Sequence, residues 1–578
     1  MKKVLYVLAA ALFAVVACKK ADDGKTDPTP DPTPSAPELT LTTPKIVDVD
    51  AESSIYTVKF GATKAWTATL SYPDGSESGA VLDKSKGDAG DELNLRVTFN
   101  GLAEEQLGRL TKLDLKAGET TESILFFQGL VFWTDAEQPN LGVEGGDFKL
   151  HILTNMECTV KKYDGAEEAF PWAPVTITED KAAHTLDLAF KVAKNDGYDS
   201  RTAYVKFTLP EVQDPVLDEE GTPTGETTDH VERFYLTQAG HSKEEWRTYL
   251  AETFNVGDGA THTLAFFNGK LLVSDSQKVY TVNPETGAFD GELATGDLPI
   301  QSIANDDEGN LLFANLGDPT NAIFDVYAVK ANDTKLEKPV KLIHFINDHY
   351  NSSTGIDKVA AKGNVFGDGV VSAMYGGVGS SGYPSYTLYW AITGGKAKEE
   401  FYNEWNPVVN PSTSDWLTTP ELGDDLWLSN RAAFVPAGAS VSDGFFYGGY
   451  DGLYNVYYYD GKEWQVSVEG AGGWAGGPQG LEVTTWNGKK ILIIAQMGYV
   501  WWSEGWGMPA YLWVVDVTTP TAPIVMSKAE YTSPDQIISG DTENSTVDVL
   551  PVVDGNDLVV YYLDASHGQL IKVRFPKL

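Results

Sequence analysis

The chain has 578 residues and a formal net charge of −39, with 82 acidic against 43 basic side chains. That balance excludes nucleic acid as a partner, since phosphate binding needs clustered Lys and Arg, and it suits neutral rather than anionic ligands. Two cysteines, Cys18 and Cys158, allow neither a disulfide framework nor a cysteine-built zinc site.

Residues 1–17 read as a secretory signal. Lys2 and Lys3 form the charged start, and Val4 to Val16 form an apolar run too short to span a bilayer as a stable helix. Val15-Val16-Ala17-Cys18 then resembles a bacterial lipobox. The resemblance implies that Cys18 carries lipid and becomes the new N-terminus. Lys19-Lys20-Ala21-Asp22-Asp23 follows and is similar to the export signal of surface-exposed lipoproteins of Bacteroidota-type outer membranes. It implies a lipid-anchored chain facing the extracellular side. Residues 18–38 include GKTDPTPDPTPSAP, whose Pro-Thr repeats favour an extended tether of about 3 Å per residue.

After Leu39 the apolar segments are short, alternating and rich in Val, Tyr, Phe and Thr, with Gly, Asn and Asp between them. This is an all-β pattern. Residues 39–129 and 130–240 repeat one plan. In the first, Ser54 to Phe60 alternates ahead of Trp66, Arg109 leads a strand, and Ile124 to Gln128 closes. In the second, Phe148 to Asn155 leads to Cys158, Arg201 leads a strand, and Phe234 to Gln238 closes. Strands at this spacing predict two β-sandwiches. The two stretches resemble the BACON family of immunoglobulin-like domains, with Cys158 standing where the first copy has Trp66. The resemblance implies carbohydrate association, or a spacer role, which is the reading favoured here.

Ser242 and Glu245 have capping-box spacing, and Trp246, Leu250 and Phe254 recur at helical spacing, so residues 241–254 predict a linker helix. Residues 255–578 carry a different repeat. Gly269 to Asp275 pairs with Lys278 to Gly287, and Gly309 to Asn315 pairs with Val326 to Val329. Four further pairs begin at Val370, Gly444, Lys490 and Asp557. Each reads as an inner strand, a turn and a second strand, which predicts a β-propeller of six to seven blades, a seventh lying within 400–440.

No catalytic motif is recognisable, and no catalytic residue is assigned. Gly377 to Gly382 matches G-x-G-x-x-G but lies between β segments with no following helix, which argues against a dinucleotide. His344 and His349 lack a third ligand, so no metal ligands are named and no cofactor is expected; structural calcium is left open. The sharper signal is aromatic. Tyr499, Trp501, Trp502 and Trp506 fall in one insertion, Trp474 is flanked by glycines, and Tyr447 and Tyr450 bracket a Gly-Gly. Flat rings in Gly-rich loops suit the apolar faces of pyranose sugars. Trp390, Trp427, Trp486 and Trp513 lie in or beside strands and are expected in the core.

The expected protein is an all-β surface lipoprotein with two immunoglobulin-like sandwiches and a propeller. It resembles accessory proteins that bind neutral polysaccharide and act with an outer-membrane glycan transporter complex. A propeller glycosidase or lyase, with carboxylates on separate blades, and a protein-binding adhesin or scaffold are the alternatives.

Overall fold

The computed structural model describes residues 37–578 other than 77, 166–167, 218–221, 255–262, 276, 316–322, 333–335, 337, 347–353, 378–385, 399–416, 420–422, 427–432, 450–454, 472–476, 497–498, 501–506, 532–546 and 566–567. The regular secondary structure of the described chain is nearly all strand, arranged in many small sheets. Among the described residues no helix is long and apolar enough to cross a membrane. The chain divides into two compact units, one of residues 1–136, 149–157 and 177–188, the other of residues 137–148, 158–176 and 189–578.

In the first unit, a five-stranded sheet runs in the order Ile46–Val49, Thr120–Gly129, Gly108–Ala117, Trp66–Ser71, Lys86–Gly87. Its edge strand Ile46–Val49 is parallel to Thr120–Gly129. A four-stranded sheet runs Leu39–Leu41, Ser54–Ala62, Gly90–Phe99, Ala80–Leu82. Alternation in Ser54–Ala62 and Gly90–Phe99 turns Val58, Phe60, Leu95, Val97 and Phe99 inward. There Phe60 meets Trp66 edge-on, with ring centroids 5.0 Å apart.

In the second unit, a sheet runs Asn140–Leu141, Pro223–Gln238, Arg201–Leu217, Thr159–Asp164. It repeats the order of the five-stranded sheet, including a short edge strand parallel to the Gln-terminated strand.

Among the described residues, the rest of the second unit contains six four-stranded antiparallel sheets. Their first strands are Thr263–Phe267, Ser302–Asn305, Thr354–Gly363, Ala433–Pro436, Pro478–Trp486 and Val547–Asp554. Each first strand lies against the first strand of the next sheet, and the sixth lies against the first. The second and third strands of each sheet are the pairs legible in the sequence. The strand in front of each pair is the innermost one, which corrects the expected order within a repeat. Asn268-Gly269 and Asn487-Gly488 close the first hairpins of the first and fifth sheets with positive φ at both residues, as a tight hairpin turn of matching twist demands. Within 400–440 the described strands Leu417–Thr419 and Gly423–Leu426 form only a two-stranded sheet.

The expected helix over 241–254 is corrected. Lys243–Tyr249 is a strand, and only Leu250–Phe254 is helical. The strand pairs antiparallel with the C-terminal strand Gln569–Phe575 and completes the sixth sheet. Trp246 donates its indole N–H to Pro284 O (3.0 Å), and Glu245 pairs with Lys572 (2.8 Å) and Arg574 (2.6 Å). Ladder bonds and two charge pairs therefore outweigh a local helical pattern. Tyr198, from the loop before Arg201–Leu217, lies in the core of the fifth and sixth sheets. It packs against Trp486 and Phe575 and donates its hydroxyl to Pro576 O (3.1 Å).

Candidate functional site

A first strand has a ladder partner on one side only. Its other edge would leave N–H and C=O groups unpaired at the centre of the cycle, so they need side-chain partners. They have them. Asp548 Oδ2 accepts from Leu264 N–H (2.7 Å), Thr263 Oγ1 from Ile303 N–H (2.9 Å), Asn305 Oδ1 from Phe266 N–H (2.6 Å), and Ser302 Oγ from Val359 N–H (3.0 Å). Each bond joins one sheet to the next.

A cavity of about 890 Å³ lies between these strands. Two lysines of the third sheet line it. Lys358 donates to the carbonyls of Gln479 (3.1 Å) and Val547, on the fifth and sixth sheets. Lys362 pairs with Glu482 and with Asp307 (3.4 Å). Burial works against the Lys362 ammonium, but the two carboxylates outweigh it and hold its pKa above the usual lysine value. Burial pushes the Glu482 carboxyl up, opposed by Lys362. Asp548 is pushed up by burial to about 6, with Lys358 and the Leu264 amide pulling the other way. Every one of these groups serves the backbone or a partner charge. The cavity wall reads as structural, and no nucleophile or acid–base pair is assigned to it.

Sequence reasoning missed these residues. Their one signal was charge inside apolar strands, as in Asp357-Lys358-Val359-Ala360-Ala361-Lys362 and Leu481-Glu482-Val483. Their convergence from separate sheets leaves no spacing to read.

Of the expected ligand-contacting residues, Tyr447 is corrected. It is buried, at 4% exposure, in a cluster with Phe434, Phe445, Tyr457 and Trp464. It sits on a strand, Phe445–Gly448, whose four residues are all buried. Tyr499 lies in the two-residue strand Tyr499–Val500, paired with Gly507–Met508. Cys18, Tyr450, Trp474, Trp501, Trp502 and Trp506 lie outside the described residues, as does Trp427. Trp390, Trp486 and Trp513 are core residues, as expected. His344 is half-exposed and pairs with Asp325 (2.7 Å). Among the described residues no group of three or more His, Cys, Asp or Glu could hold a metal.

The strands flanking the aromatic segments are described. Tyr450 follows Phe445–Gly448, Trp474 stands between Trp464–Val468 and Pro478–Trp486, and 499–506 follow Lys489–Gln496. In sequential antiparallel sheets, the end of a second strand, the end of a fourth strand and the start of the next first strand share one end. Gly448 confirms the sharing for the fourth and fifth sheets, since a Cβ there would clash with the Pro478 carbonyl.

A search of curated proteins finds no match. Among solved structures the chain is similar to a Bacteroides ovatus GH5 xyloglucanase in complex with a XXXG heptasaccharide, at 17% identity and TM-score 0.14, over 19% of this chain and 22% of the xyloglucanase. It is similar to a chimeric titin Z1Z2, at 13% identity and TM-score 0.13, over 35% of this chain and 94% of that one. It is also similar to the YadV chaperone, at 7% identity and TM-score 0.16, over 34% and 99%. Likenesses at these TM-scores carry no argument. The chain spans about a fifth of the xyloglucanase. Residues 254–575 match a family model described as a domain of unknown function, DUF8500; that is more than half of the chain, which belongs to this family.

Proposed function

We propose that this protein is a surface-displayed lipoprotein, anchored through Cys18, that captures neutral polysaccharide for an outer-membrane glycan transporter complex. On this reading residues 255–578 are a six-bladed propeller, closed by Lys243–Tyr249, and residues 39–240 are two immunoglobulin-like sandwiches acting as a stalk. The cyclic adjacency of the six first strands supports the propeller. The repeated sheet order, with its short parallel edge strand, supports the sandwich pair.

The observation that carries the binding role is the shared strand end. Phe445–Gly448, Trp464–Val468, Pro478–Trp486 and Lys489–Gln496 have termini at one end of two neighbouring sheets, and in the sequence Tyr450, Trp474, Tyr499, Trp501, Trp502 and Trp506 stand next to those termini. Rings gathered at one rim would give a sugar several apolar faces at once, at low entropic cost per ring.

Native affinity gels containing neutral polysaccharides test the reading. The chain is expected to be retarded by at least one of them, and Trp501→Ala with Trp502→Ala is expected to abolish that retardation. Unchanged migration of the double variant removes the site. Release of new reducing ends from the retained glycan would replace the binding role with a hydrolytic one. Cys18→Ala should move the protein from the membrane fraction to the soluble one.

A further inference from the structure

The sheet Asn140–Leu141, Pro223–Gln238, Arg201–Leu217, Thr159–Asp164 buries one face only. Ala203, Val205, Phe207, Phe234 and Leu236 point inward, while Tyr204, Lys206, Arg233 and Tyr235 alternate outward. On the outward face two register rows stand side by side. Tyr163, Tyr204 and Tyr235 are direct cross-strand partners. Tyr163 and Tyr204 stack with centroids 5.1 Å apart and planes 16° apart, and Tyr204 and Tyr235 follow at 5.4 Å. Two residues along, about 7 Å on a strand, Lys161, Lys206 and Arg233 form the next row.

A cross-strand tyrosine row by itself stabilises a sheet. The cation row does the opposite, because like charges directly opposite one another repel. Lys161 is compensated by Glu168 (3.1 Å). Among the described residues neither Lys206 nor Arg233 has a carboxylate within ion-pair distance, and the Arg233 guanidinium lies 5.9 Å from the Tyr204 ring. This concentration of positive charge sits in a chain of net charge −39. The whole-chain charge argues for neutral ligands, but this face is locally complementary to a negative one.

We infer that this tyrosine-and-cation face binds an anionic polysaccharide, one whose sugars carry carboxylate or sulfate groups. The rings stack on one another, so the row offers its apolar edges for van der Waals contact and its phenol hydroxyls for hydrogen bonds to sugar oxygens. The adjacent Lys206 and Arg233 supply charge-assisted hydrogen bonds, the arginine in a form that can grip a carboxylate or sulfate with two N–H groups. The face shares no residue with the proposed neutral-glycan site and does not depend on it.

The full chain is run in native affinity gels containing polygalacturonate, heparin, or dextran as the neutral control. Retardation is expected in at least one anionic gel, weakening as salt is raised. Lys206→Glu with Arg233→Glu should weaken it at least tenfold, and Tyr204→Ala with Tyr235→Ala should do so too, with thermal unfolding recorded for each variant. The charge-reversed pair changes only outward-facing side chains, so it keeps the test valid if the tyrosine variant unfolds. No retardation of the wild type in either anionic gel overturns the inference, and so does undiminished retardation of the charge-reversed variant. A folded tyrosine variant that binds like the wild type also overturns it, reducing the effect to charge attraction. Retention of any neutral glycan should be the same in all three proteins, which separates this site from the rim.

Discussion

Arg109 donates from Nη1 to Gln128 Oε1 at 3.1 Å, between residues that face each other across two strands. Arg201 and Gln238 repeat the arrangement, Nε to Oε1 at 2.9 Å and again as direct register partners. In both copies the glutamine amide then reaches backbone carbonyls of neighbouring segments: Asn100 O (2.8 Å) for Gln128, and Val143 O and Ala193 O (both 3.0 Å) for Gln238. The pair is a polar latch that ties the closing strand to the loops around it, and it gives a physical reason for an Arg-led strand ahead of a Gln-terminated one.

Gln128 is wholly buried and Arg109 nearly so. Gln128→Ala therefore removes one acceptor from the buried guanidinium, which keeps Gly79 O (3.2 Å), and leaves the Asn100 carbonyl only the longer bond from Arg109 Nη1 (3.4 Å). The expected cost is about 1–2 kcal/mol, read as a lower denaturant midpoint for the first unit's transition. A change below about 0.5 kcal/mol would show that water replaces the amide at no cost, and the latch would be decorative.

Lys362 and Glu482 make the clearest case for a structural role of the cavity wall. Lys362→Met removes one partner of a buried pair and leaves Glu482 and Asp307 facing each other without their cation. Breaking such a pair costs about 3–5 kcal/mol, whereas replacing both members by apolar groups of similar volume is often neutral. Glu482→Leu added to Lys362→Met should therefore recover most of the loss. Thermal unfolding of the two single variants and the double variant decides it. A strictly additive double variant would mean that the two side chains do not act as a pair.

Much of this fold was written in local pattern. Alternation in Ser54–Ala62 and Gly90–Phe99, and the paired runs starting at Gly269 and Gly309, depend on nearest neighbours and on period two, so a single chain displays them. The first strands were less visible. Ser302–Asn305 is four residues long, and its role as an inner edge depends on strands from two other sheets. Lys243–Tyr249 was misread because Trp246, Leu250 and Phe254 mimic a helical stripe, while its true partner, Gln569–Phe575, lies more than 300 residues away. The candidate site splits the same way. Loop aromatics announce themselves by their glycine neighbours, whereas Lys358, Glu482 and Asp548 converge only once the cycle forms. Tyr447 was misread because Gly448 and Gly449 look like a loop, yet Phe445–Gly448 is a strand buried throughout.

That burial gives Tyr447 an unusual test. Its hydroxyl is buried without a hydrogen-bond partner among the described residues, and desolvation pushes its pKa well above the ordinary tyrosine range. Burying an unpaired hydroxyl costs about 1–3 kcal/mol on the protein scale. Tyr447→Phe should keep the ring contact with Trp464, at 5.9 Å and 75°, while removing that cost. Stability should be unchanged or raised by about 1 kcal/mol, with no effect on glycan retardation. A destabilised variant would reveal a partner for the hydroxyl, and a loss of glycan binding would return Tyr447 to the ligand surface.

In the closure between the sixth and first sheets, Asp548 accepts from Leu264 N–H (2.7 Å), and burial raises its pKa. Its carboxyl stands at about 6 against an ordinary 3.8 because burial disfavours the charged form, an effect that Lys358 and the Leu264 N–H only partly offset. A raised folded-state pKa means that the group's stabilising contribution is fully present below about pH 3.8 and is lost as pH rises through about 6. The gap corresponds to about 3 kcal/mol of strain at neutral pH. Asn at this position keeps an oxygen to accept from Leu264 but cannot ionise. Asp548→Asn should therefore exceed the wild type in stability at pH 7–8, by an amount reduced through the lost attraction to Lys358. The difference should shrink towards pH 4, where both side chains are neutral. Urea midpoints measured at intervals from pH 4 to pH 8 give the comparison. Parallel profiles for the two proteins would mean that Asp548 does not titrate in this range, and the closure would then owe its pH response to some other group.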